Sequence, residues 1–269
     1  MQNPRGQVEL LETIGKGNYG AVYKAKLKKQ NKMAAVKVVF LKEDEIKETL
    51  LEMEILEKCK HSNITEFFGC FLKGLDLWIC MELCAGGAVD SLYRTFKKPL
   101  PEDCIASLLH DSLLALEYLH TKVGLIHRDI KSGNILLTTD GQVKLADFGV
   151  SADLSEVGGK ASTFIGTPYW MAPEVIECDP DDPKSARRYY TDKSDIWSIG
   201  ITAIEIAEKN PPLSDIHPMQ ALKLISKNTV TFSKPKEFSK QLVDFVTFCL
   251  VKDPIKRPTA TGKLLVLIF

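Results

Sequence analysis

Eight consecutive residues, His127-Arg128-Asp129-Ile130-Lys131-Ser132-Gly133-Asn134, bring together an imidazole, a guanidinium, a carboxylate, an ammonium and a carboxamide. These are groups that exchange protons and bind ions. The apolar pair Leu125-Ile126 stands before them, and the β-like run Ile135-Leu136-Leu137-Thr138 follows. Polar groups crowded between two buried-looking strands need partners, so the segment does not read as a solvated loop. Lys37 poses the same problem. It sits in the run Met33-Ala34-Ala35-Val36-Lys37-Val38-Val39, where an ammonium inside a buried strand is costly unless paired.

The elements that must hold these groups follow from periodicity. Val8–Thr13 alternates as a strand, and Gly15-Lys16-Gly17-Asn18-Tyr19-Gly20-Ala21-Val22 turns into a second alternating run ending at Leu27. In dinucleotide-binding folds G-x-G-x-x-G opens a helix. Here it joins two strands, and such a hairpin is either a lid over phosphates, because glycine lets backbone N–H groups approach closely, or a plain flexible hairpin. Residues 43–60 predict a helix with Ile46, Leu50, Met53 and Leu56 on its apolar stripe. Ile64–Phe71 and Leu75–Glu82 predict a hairpin turning at Gly74, and the alternation stops after Met81. Glu82-Leu83-Cys84-Ala85-Gly86-Gly87 therefore reads as a hinge between a β-rich part, 1–84, and a helical part, 85–269. Residues 103–120 form an amphipathic helix, and residues 194–207 are apolar nearly all round, as in a buried central helix. Val143-Lys144-Leu145-Ala146 is a short strand leading into Asp147-Phe148-Gly149.

Taken in order, the glycine hairpin, the strand lysine, H-R-D-I-K-S-G-N, D-F-G and Ala172-Pro173-Glu174 resemble the eukaryotic protein kinase family over nearly the whole chain. Lys131 is the mark of the serine/threonine type. Phe164-Ile165-Gly166-Thr167-Pro168-Tyr169-Trp170-Met171 is similar to the sterile-twenty kinases. Gly87-Ala88-Val89-Asp90 and the run Pro211–Met219 are similar to their germinal-centre-kinase branch.

The resemblance implies an α+β, bilobal protein kinase fold: a small antiparallel β-rich N-lobe with one main helix, and a larger helical C-lobe. It implies transfer of the γ-phosphoryl group of ATP to protein Ser/Thr hydroxyls, with Mg2+ bound. Asp129 would accept the hydroxyl proton and Lys131 would steady the phosphoryl group. Asn134 and Asp147 would hold the metal. Ile14, Gly15, Gly17, Gly20, Val22, Lys37, Glu82 and Cys84 would line the ATP site. Glu48, Glu52 and Glu54 compete to pair with Lys37. Glu52, one turn before Leu56, is the expected partner, and Glu54, rotated away by two residues, is expected to face solvent. Thr163 is the expected regulatory phosphosite, phosphorylated by an upstream kinase or by the chain itself, with Arg128 as the contact for its phosphate. His127 is expected to be a packed core residue against Phe148. Asp195 would brace the backbone of H-R-D, and Arg257 would pair with Glu174.

A catalytically silent relative would lack one of Lys37, Asp129, Asn134 or Asp147, and all four are present. Thirty-five Lys and Arg balance thirty-five Asp and Glu, which argues against nucleic acid or an anionic membrane as the main partner. The first residues lack the apolar core of a signal peptide, and no apolar run reaches the ~18 residues of a membrane span. Seven scattered cysteines without a C-x-x-C pair read as reduced thiols, so a cytoplasmic location is expected. Residues 178–192 read as a polar surface insertion. The end, 262–269, lacks the His-Pro-Phe expected of the family and reads as shortened.

Overall fold

The alternating runs near the start form three antiparallel strands, β1 (Val8–Gly17), β2 (Gly20–Leu27) and β3 (Lys32–Phe40). The structure is a computed structural model and describes residues 6–17, 20–42, 49, 53–54, 56–147, 152–153, 167–177, 191–261 and 264. Strands β4 (Phe67–Lys73) and β5 (Asp76–Glu82) complete an antiparallel sheet of order β1-β2-β3-β5-β4. Ala25, Ala34, Val36 and Cys80 are buried together on it. Gly20 permits the close start of β2: its φ is +141°, and a Cβ there would lie 2.0 Å from Val38 O.

The hairpin is shorter than the sequence predicts. Ile64 and Thr65 leave the sheet because their neighbourhood bonds elsewhere. Leu145 N donates to Asn63 O (2.8 Å) and Thr65 N donates to Leu145 O (3.0 Å), while Ile64 is buried. This segment therefore fastens the sheet to the helical lobe. In the predicted helix over 43–60, residues 53–54 and 56–58 are helical, with Met53 buried and Glu54 exposed as expected. Glu48 and Glu52 lie outside the described residues.

The helical lobe begins with β6 (Gly87–Ala88), α1 (Val89–Phe96) and α2 (Glu102–Tyr118). Rather than ending at His120, α2 passes into a π-helical turn over Leu119–Val123, which Gly124 stops at φ +76°. Two short strands, β7 (Leu125–Ile126) and β8 (Ile135–Leu137), bracket the polar segment, and β9 (Val143–Leu145) pairs with β8. Strand β10 (Ala152–Asp153) pairs with β7. Beyond these come the short α3 (Pro173–Ile176) and the central α4 (Asp192–Glu208), capped by Thr191 and buried on nearly every face. Helices α5 (Pro218–Lys227) and α6 (Lys240–Cys249) pack outside it. The antiparallel sheet and helical lobe together are the α+β architecture expected. Among the described residues no helix is long and apolar enough to cross a membrane. Cys70, Cys80, Cys84, Cys104 and Cys249 are free thiols.

Candidate active site

Register across the sheet builds one wall of the site. Gly15 lies opposite Val22, and Val22 opposite Lys37, so the three share a row running from the glycine hairpin to β3. Gly17 pairs with Gly20 at the end of the hairpin, and Ile14 beside it is about half exposed. The Lys37 side chain is 14% exposed and pairs with the Asp147 carboxylate. That contact crosses from the sheet to the helical lobe and supplies the partner that a strand lysine needs. Burial alone would raise the Asp147 carboxyl, but the charge and hydrogen bond of Lys37 outweigh it and hold it below the usual carboxylate value. Asp147 has φ +66°, an uncommon conformation for a residue with a side chain. Behind Lys37 lies an apolar recess lined by Met53, Leu56, Phe67, Ile79 and Met81.

The opposite wall is the 127–134 segment, and Asp195 at the start of α4 sets its backbone. Asp195 Oδ2 accepts from His127 N (2.9 Å), and Oδ1 accepts from Arg128 N (2.9 Å). His120, brought round by the π-turn, adds a contact from Nε2 to Oδ2 at 2.7 Å. Burial would push the Asp195 carboxyl up, but the bond from His120, its charge and the backbone bond from His127 hold it down. Arg128 is fixed at φ +70°, a strained conformation at the turn that aims Asp129. His127 is fully buried; its Nε2 donates to Ala146 O (3.1 Å), and its Nδ1 accepts from Asp129 N (3.3 Å). Burial lowers its pKa, and both contacts fit a neutral ring. It is a packed core histidine; Phe148, its expected neighbour, lies outside the described residues.

Asp129 is the point where the polar groups converge. Its Oδ2 accepts from Lys131 Nζ (2.7 Å) and Asn134 Nδ2 (2.9 Å), and its Oδ1 accepts from Thr167 Oγ1 (2.8 Å). Lys131 Nζ also donates to Thr167 Oγ1 at 2.9 Å. Asn134 spends its amide nitrogen on Asp129 O (2.7 Å) and Oδ2, which leaves its amide oxygen as the donor atom for a cation. Ala146 N donates to Asn134 O (2.9 Å), so the β8–β9 pairing brings Asn134 and Asp147 to the same end of one hairpin. One carboxylate and one amide oxygen are hard donors, and Mg2+ commonly takes one or two such protein ligands and completes its shell with phosphate oxygens and water. The donor set fits that ion.

At the hinge, Glu82 accepts from Lys144 Nζ (3.1 Å) and from Glu66 N (3.2 Å), while Cys84 is buried and its carbonyl accepts from Gly87 N (3.1 Å). Burial pushes the Cys84 thiol up to about 12. The buried Lys144, 8% exposed, was not singled out by sequence, although an ammonium inside the run Val143–Leu145 is the same signal that marks Lys37. His120 and Glu205 were missed too. Thr163, like Glu52, lies outside the described residues. The expected supporting pair is present: Arg257 Nη1 and Nη2 donate to the two Glu174 oxygens at 2.6 and 2.9 Å, both side chains being buried.

Comparison with known proteins agrees with this geometry. The family described as protein kinase domain matches residues 8–265. Misshapen-like kinase 1 of Rattus norvegicus is 47% identical over 266 residues, covering 96% of this chain and 20% of that protein. Serine/threonine-protein kinase cst-1 of Caenorhabditis briggsae is 45% identical over 258 residues, covering 96% of this chain and 50% of that protein. The chain thus spans between a fifth and half of the length of these relatives. It belongs to the protein kinase domain family.

Proposed function

We propose that this chain is a serine/threonine protein kinase that transfers the γ-phosphoryl group of ATP to Ser or Thr hydroxyls of protein substrates. The observation that carries the reading is the convergence of Lys131, Asn134 and Thr167 on the Asp129 carboxylate, facing the Lys37–Asp147 pair. Asp129 orients the acceptor hydroxyl and takes its proton, and Lys131 steadies the group in transit. Lys37, with Glu52, holds the α- and β-phosphates. The glycine hairpin with Ile14, Gly15, Gly17, Gly20 and Val22 covers the nucleotide, and Glu82 and Cys84 meet it at the boundary between lobes 1–84 and 85–269. Asn134 and Asp147 hold Mg2+, which when bound neutralises charge on the phosphate oxygens. Catalysis of this kind rests on positioning and charge neutralisation, because the loose transition state asks little covalent help of the protein.

Thr163 is the activating phosphosite in this reading, with Arg128 receiving the phosphate. The enzyme acts in the cytoplasm, as its free thiols support. The reading is tested by incubating the purified chain with radiolabelled ATP, Mg2+ and a generic basic protein. Label should enter the protein, and Asp147→Ala should lower the rate by about 10²-fold or more. Full transfer by Asp147→Ala would refute the assignment.

A further inference from the structure

Glu205 interrupts the otherwise apolar inner run of α4 and is 4% exposed. A buried carboxylate is expensive unless its oxygens are satisfied, and here they serve three separate segments. Oε1 accepts from Ser132 Oγ (2.5 Å) and from Tyr93 OH of α1 (3.0 Å). Oε2 accepts from Ser132 N (3.0 Å) and from Trp170 Nε1 (3.1 Å). Tyr93 OH and Ser132 Oγ also lie 2.9 Å apart and close the ring. Burial raises the Glu205 carboxyl, and the bonds from Ser132, Tyr93 and Trp170 work against that rise.

Ser132 opens the 3₁₀ turn Ser132–Asn134, directly after Lys131. Trp170 lies in the segment that begins with Thr167, whose hydroxyl touches both Asp129 and Lys131. One carboxylate therefore fixes the turn carrying Lys131 and Asn134 against the segment facing the acceptor. We propose that Glu205 is a positioning residue, which couples the 131–134 turn to the Trp170 segment through a shared carboxylate and keeps both in register with Asp129. This rests on the kinase reading for its effect on rate, but its effect on the backbone does not.

The pattern of donors makes the idea testable. A Gln side chain at 205 can keep its oxygen on Ser132 N and Trp170 Nε1 and donate its amide to the hydroxyls of Ser132 and Tyr93, each of which also accepts. The brace thus depends on hydrogen bonds more than on charge. Glu205→Ala should lower kcat about 10-fold with the KM for ATP unchanged, and amide exchange over 130–134 should quicken. Glu205→Gln should restore most of both. Ser132→Ala, which keeps the backbone bond and removes the hydroxyl, should lower kcat about threefold and covers the case in which Glu205→Ala does not fold. The inference is overturned if exchange over 130–134 is unchanged in Glu205→Ala, or in Ser132→Ala should Glu205→Ala not fold. It is equally overturned if Gln behaves like Ala. Absence of phosphotransfer by the unmodified chain would refute the kinase reading instead, and the exchange data would still decide the brace.

Discussion

Replacing Asp195 by Asn changes one atom and tests how the 127–134 segment is held. Both carboxylate oxygens are occupied: Oδ1 by Arg128 N, and Oδ2 by His127 N and His120 Nε2. An amide can keep its oxygen on the doubly bonded side, but its NH2 then faces the Arg128 N–H, and that bond is lost. A buried donor left unsatisfied costs about 1–3 kcal/mol. The two retained bonds lose the assistance of a charged acceptor, roughly halving their strength. Together the loss is roughly 3–5 kcal/mol, which at ~2–4 °C per kcal/mol for a domain of this size lowers Tm by about 10 °C. Arg128 is meanwhile released from a left-handed conformation that itself costs ~1–2 kcal/mol, so Asp129 loses its aim and phosphotransfer should fall about 10²-fold.

The pH dependence carries a sign. The folded pKa of Asp195 is depressed below its ordinary 3.8. Its contribution is therefore present above the unfolded value and lost as pH falls through the folded one. Asn does not titrate, so the Tm gap between the two proteins should be widest above about pH 4 and close on further acidification. Circular dichroism melts across pH, paired with the labelled-ATP assay, read both effects. A Tm within about 2 °C of the unmodified protein at neutral pH, or a gap that widens in acid, would mean that the Asp195 carboxylate does not hold the 127–134 segment.

Two further outcomes are expected. Gly200→Ala would place a Cβ 2.6 Å from Cys249 Cβ and 2.9 Å from Leu250 Cδ2, where α4 meets α6; overpacking of this kind costs about 1–3 kcal/mol, and denaturant melts should show it, whereas unchanged stability would mean the two helices separate easily. Mass spectrometry of active protein should find phosphate on Thr163, and Thr163→Ala should lower activity; active protein without phosphate there counts against its regulatory role.

Local pattern made much of this legible. Lys37 announced itself as a charge inside an apolar alternating run, and the segment 127–134 as polar groups between two strands. The buried character of α4 followed from its lack of a polar face. What stayed hidden depends on partners far apart in sequence. Ile64 and Thr65 look like strand, yet the hydrogen bonds of Asn63 and Thr65 to Leu145 draw them out of the sheet. His120 looks like the end of an amphipathic helix until the π-turn rotates it onto Asp195. Glu205 carried a signal, an acid in an apolar helix, but its partners Tyr93, Ser132 and Trp170 lie 112, 73 and 35 residues away, and no periodicity joins them.

In the proposed function Asp129 is the group on which phosphotransfer turns, and single-turnover transfer by Asp129→Asn measures its part in the reaction. Asn keeps the shape and an acceptor for Thr167 or Lys131, but it cannot take a hydroxyl proton. With nucleotide binding measured separately by calorimetry, affinity for ATP with Mg2+ should be unchanged and the transfer rate reduced about 10²-fold or more. Transfer by Asp129→Asn at the rate of the unmodified protein, with phosphate still arriving on Ser or Thr, would contradict that role.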